Sequence, residues 1–197
     1  MALYRHVASG TFPGEIWQIT MHTTGDVSLA DAQSAWSDAT GALWTSALDA
    51  LVSTDVVMTE VSTASISEET DTQLSRLIDD VTRPGVSEDE TLPPQVALVV
   101  SLRTAMATRA GRGRFYLPPL AVSTVADGRL SSTAQGTVSS AVEAFLTSLG
   151  GASLTPVVRG RSTHTSTPIT RYDVGDVFDT QRRRRDKLIE TRIGGTV

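Results

Sequence analysis

Three histidines, His6, His22 and His164, are the side chains of this 197-residue chain best suited to moving a proton near neutral pH. They fall in three separate segments. Hydrolysis would require His22 or His164 within hydrogen-bond reach of a serine and a carboxylate. Serine and threonine are so frequent here that such a neighbour carries little information, and each histidine is expected to face solvent from a strand or loop. The sequence has no Gly-x-Gly-x-x-Gly after a strand, no phosphate-binding lysine motif, no Gly-x-Ser-x-Gly elbow and no His-Glu-x-x-His. The chain has no cysteine, which excludes disulfides, thiolate metal sites and cysteine nucleophiles. The reading is of a protein that is not an enzyme, with no catalytic residue and no cofactor.

Asp173, Asp176 and Asp179 recur every three residues. A calcium loop needs oxygen ligands at alternating positions and a late glutamate, which is a different pattern. On an extended chain this spacing scatters carboxylates over both faces. Asp179 is therefore expected to cap a following helix, with Asp173 and Asp176 paired to arginines, and no metal site is expected.

Two basic motifs remain. Arg182, Arg183, Arg184 and Arg185 are consecutive, and Arg112 and Arg114 stand beside Phe115 and Tyr116. Arginines release counterions from phosphates, and basic residues next to aromatics support stacking on bases. The alternative reading is thus a nucleic-acid-binding protein using the Arg-rich C-terminal segment. Against it, net charge is −5 and no nucleic-acid-binding fold motif is present. On a helix four successive arginines fan out, Arg182 reaching Asp186 and Lys187 reaching Glu190. Contacts between subunits or within the chain are the better use of Arg112, Arg114, Phe115, Tyr116, Asp176, Asp179 and Arg182 to Arg185.

Charge is divided along the chain. Residues 1–90 hold fifteen acidic and three basic side chains, a sum of −12, whereas residues 91–197 hold seven and fourteen, a sum of +7. The halves can fold onto each other or attract the opposite half of a neighbouring copy. Sixteen of the seventeen basic residues are arginine, which suits planar multidentate contacts, although codon bias in a GC-rich genome explains the same usage.

The elements that must position these residues follow from periodicity. Glu15 to His22 alternates as a strand after Pro13-Gly14. Ser28 and Asp31 resemble a capping box ahead of a helix whose stripe is Leu29, Trp36, Leu43 and Ala50, widened by Ala32, Ala39, Trp44, Ala47, Leu48 and Leu51. Asp55 to Ser62 is β-branched and reads as a strand. Residues 63–91 are acidic and read as a loop or protrusion. Gln95 to Leu102 is the most apolar strand, and Arg103 to Arg114 follows, ending in Arg112 to Pro119, where glycines permit a sharp turn and the double proline stops any helix. A second helix runs from Ser132 to Leu149 with Gly150-Gly151 as its stop, and Leu154 to Arg161 reads as an edge strand because of Pro156. The sum is an α+β fold, a mainly antiparallel sheet with two helices in a split β-α-β arrangement. It occupies residues 1–170 as one domain, with residues 171–197 as an extended, Arg-rich C-terminal arm.

At Leu92 to Arg103, Gly111 to Pro119 and Val174 to Arg185 the sequence resembles a family of uncharacterised proteins from phage genomes and viral metagenomes. The resemblance extends through most of the chain, with residues 63–91 its least similar part. It implies a virion structural protein, a capsid, head–tail or tail component, whose partners are copies of itself and other virion proteins and whose location is the virion, assembled in the host cytoplasm. No stretch approaches the roughly 18 apolar residues of a membrane span, and the first six residues lack the layout of a secretory signal.

Overall fold

The computed structural model describes residues 2–12, 15–48, 51, 57–66, 95–103, 112–117, 120–121, 130–156, 158–159, 164–165, 171–179 and 192–197. The chain begins with β1 (Ala2–Phe12) and β2 (Glu15–Gly25), paired antiparallel in unbroken register from Ala2 opposite Gly25 to Phe12 opposite Glu15. Sequence periodicity pointed to β2 and not to β1. The reason is burial on both faces: Tyr4, His6 and Ala8 are covered, and so are Val7 and Ser9, so the alternation that marks a half-buried strand is absent.

Helix α1 (Leu29–Gly41) starts where the cap was expected. Ser28 Oγ accepts from the Asp31 backbone N–H at 3.1 Å and donates to Asp31 Oδ2 at 2.6 Å. The helix continues into a π-helical turn, Ala42–Ala47, closed by Leu48 N–H to Leu43 O at 3.1 Å. The wider turn brings Leu43, Trp44 and Leu48 all into the core. Leu29, by contrast, is 45% exposed, because it sits in the first turn before the helix reaches the sheet. Strand β3 (Val57–Ile66) returns antiparallel to β1. Trp44 packs over Gly10 of β1, where a Cβ would lie 2.8 Å from Val57 O and 3.0 Å from the indole. Only glycine lets the helix end approach the strand this closely.

The larger sheet comes from the second half of the chain: β4 (Gln95–Arg103), β5 (Arg112–Tyr116), β6 (Leu120–Ala121), β8 (Val158–Arg159), β9 (His164–Thr165), β10 (Arg171–Asp179) and β11 (Arg192–Gly195). The smaller sheet has the order β3-β1-β2-β7, with β7 being Leu154–Pro156, and the larger one β11-β10-β4-β5-β8-β9 with β6 also on β4. Every described pairing is antiparallel. The class is α+β, with antiparallel sheet and two helices as expected, but the strands divide between two sheets. Pro156 is the last residue of β7 on an edge, where a missing N–H is tolerated. One residue later the chain enters the larger sheet.

Helix α2 (Ser132–Gly151) is capped by Ser131, whose hydroxyl accepts from Ala134 N–H at 3.2 Å. It runs through Gly150 and Gly151 instead of stopping there. The residue in the left-handed region is Ser153, φ 58°, whose N–H bonds Gly150 O at 3.0 Å.

Two expectations are corrected. Arg112–Tyr116 is a strand between β4 and β8 and not a turn, because its phenylalanine and the buried Leu117 pack into the core. Residues 171–179 and 192–195 are not arm but sheet: β10 lies between β4 and β11, with Tyr172, Val174 and Ile193 buried. The expected boundary at 170 therefore cuts through the domain.

One aromatic path links the layers. Phe115 of the larger sheet lies 5.7 Å from Phe145 of α2, Phe145 meets Trp36 of α1 edge-on at 5.8 Å, and Trp36 stacks on His6 of the smaller sheet. The two helices and both sheets thus share a single core.

Candidate functional site

The titratable centre of this core is His6, at the middle of the smaller sheet with no exposed surface. Register places it directly opposite Thr63 of β3 and diagonal to Thr23 of β2, since Tyr4 is the residue opposite Thr23. All three side chains share the face covered by α1. His6 Nδ1 is 2.8 Å from Thr63 Oγ1, and Nε2 is 2.7 Å from Thr23 Oγ1. Hydroxyls both donate and accept, so a neutral imidazole gives its one proton to one threonine oxygen and accepts from the other. Trp36 roofs the ring at 4.9 Å, its indole N–H donating to Val7 O at 2.9 Å. Tyr4, on the same face, donates its hydroxyl to Val27 O.

Burial, and to a smaller extent repulsion from the positive form of His22, together lower the His6 pKa to about 4. His22, also buried, faces Arg5 across β1 and β2, on the opposite side of the sheet. The expectation that the histidines face solvent is therefore corrected for His6 and His22. A proton on His6 would replace a satisfied neutral ring with a buried cation beside hydroxyls alone. Chemically the cluster is a closed polar row, Thr23–His6–Thr63, which fixes the register of three strands and the seat of α1. The signal that could have found it is Phe12-Pro13-Gly14-Glu15, a turn pair between two runs of strand-forming residues.

The other expected residues are dispersed. His164 lies in β9, opposite Arg159, in the other sheet. Phe115, expected at an interface, is 1% exposed and packs on Phe145, so it is corrected to a core residue. Arg112, Arg114 and Tyr116 occupy β5 opposite Arg103, Ser101 and Val99. Asp176 and Asp179 lie in β10 opposite Leu98 and Val96, while Asp173 stands between Ser101 and Gly194. Arg182 to Arg185, and most of the acidic stretch 63–91, lie outside the described residues. Among the described residues no group of three potential metal ligands occurs, and no helix is long and apolar enough to cross a membrane.

Comparison with known proteins yields no matching family model, curated protein or solved structure.

Proposed function

We propose that this chain is a structural subunit of a bacteriophage particle, a capsid, head–tail or tail component, working by contact with copies of itself and with other virion proteins. The observation that carries the reading is the way polar capacity is distributed. The buried histidine row is satisfied internally, whereas among the described residues the smaller sheet ends on the ten-residue strand β3, along which Val57, Thr59, Glu60, Ala64 and Ser65 are exposed. An edge of that length is a template for pairing with another chain. The division of charge, −12 against +7, adds orientation to such encounters more than affinity. In a symmetric particle one modest contact is repeated many times, so each interface needs little strength.

Mass spectrometry of purified particles should find the chain in the virion, and light scattering should show the isolated protein associating as its concentration rises. A stable monomer that is absent from particles overturns the reading.

A further inference from the structure

We propose that the outer edge of β3 pairs antiparallel with β3 of a second copy, about a two-fold axis at Thr63. This rests on the self-assembly reading above and names the surface it uses.

Strand β3 ends the smaller sheet, with β1 on its inner side and, among the described residues, no strand on its outer side. Edges of natural sheets are commonly protected by proline, lysine, repeated charges or bulges. Over Val57–Ile66 there is no proline and no lysine, and Glu60 is the one charged residue. The pairing with β1 is irregular between Ser9 opposite Glu60 and Gly10 opposite Met58, which leaves Thr59 as the extra residue. The bulge protects one end and leaves Glu60–Ile66 as a regular seven-residue run. Gln33 of α1 donates to Val61 O at 3.2 Å and caps one carbonyl of this run.

The residue pattern selects the occupant. With the axis at Thr63, Glu60 meets Ile66, Val61 meets Ser65, Ser62 meets Ala64, and Thr63 meets its own counterpart. No like charges face each other. Parallel in-register pairing, or an axis at residue 60, would set Glu60 against Glu60 and is disfavoured. The strand is thus complementary to itself in one direction and near one register, as a two-fold contact requires. Seven antiparallel pairs supply about six to eight backbone hydrogen bonds. Thr63 already bonds His6, so the two rows Thr23–His6–Thr63 would meet end to end at the axis.

The absence of cysteine makes the register testable on the full chain. Thr63→Cys should form a disulfide-linked dimer on mild oxidation. Ser65→Cys should not, because two copies of residue 65 would lie about 13 Å apart, beyond disulfide reach. The pair Ala64→Lys and Ser65→Lys, at exposed positions, should raise the dimer dissociation constant at least tenfold in sedimentation while leaving the circular dichroism spectrum unchanged. A dimer indifferent to the lysines, or cross-linking at 65 as readily as at 63, overturns this inference and leaves self-assembly through another surface standing. A monomer at every concentration overturns this inference, and only its absence from purified particles as well overturns the structural-subunit reading.

Discussion

The imidazole of His6 and the indole of Trp36 lie stacked, with centroids 4.9 Å apart and planes 29° from parallel. Through this contact one strand, one helix and, by way of the two threonines, two neighbouring strands are held by a single ring. The stack desolvates the imidazole and so couples its proton to the integrity of the smaller sheet.

Stability should fall with acid through His6. Its folded pKa of about 4 lies below its ordinary value of 6.5, so the unfolded chain takes up the proton first. The histidine contributes no loss above pH 6.5, and stability declines as pH drops from 6.5 towards 4. A shift of this size corresponds to about 3 kcal/mol. Urea unfolding at pH 7 and pH 4 should show wild type losing about 3 kcal/mol more than His6→Gln, and equal losses would refute the coupling.

Gly195 should tolerate no side chain. It stands opposite Tyr172 at the β10–β11 pairing, and a Cβ there would lie 2.6 Å from the tyrosine ring. The ring has no room to move, since the buried Tyr172 hydroxyl is 2.8 Å from Ser139 Oγ and donates to Ser139 O at 2.9 Å. Gly195→Ala should cost about 1–3 kcal/mol by chemical denaturation. Tyr172→Phe should cost about 1 kcal/mol. A neutral Gly195→Ala would mean that the strand gives way instead of the ring.

Ser153 is the reverse case. Its left-handed φ of 58° suits glycine better than serine, and it closes α2 by its bond to Gly150 O. Ser153→Gly should stabilise the protein by roughly 0.5–1 kcal/mol. Gly151→Ala should do the same by about the same amount, because a Cβ there meets nothing within 4 Å and the residue is helical. Thermal melts of the two single variants and the double variant check both, and a lower melting temperature for Ser153→Gly would contradict the cap assignment.

The Ser28 cap should be worth about 1 kcal/mol. Ser28→Ala removes both its bond from the Asp31 N–H and its bond to the Asp31 carboxylate. Unfolding free energies of wild type and variant at pH 7 measure the difference, and one within a few tenths would show that water replaces the hydroxyl without loss.

The sequence by itself determined the elements whose signals are local. Ser28 and Asp31 set the start of α1, the spacing of Val138, Ala141, Val142, Phe145 and Leu149 set the buried face of α2, and the apolar run from Gln95 set β4, because caps and periodicity act within a few residues. The tertiary structure decided whatever depends on partners distant in sequence. It made β1 a central strand, drew Arg171–Asp179 into the larger sheet, placed Phe115 against Phe145, and brought His6 between Thr23 and Thr63. Those bonds span 17 and 57 residues. No local pattern encodes them, since a histidine among polar neighbours reads as solvent-facing until strands on either side and a tryptophan above take the water away.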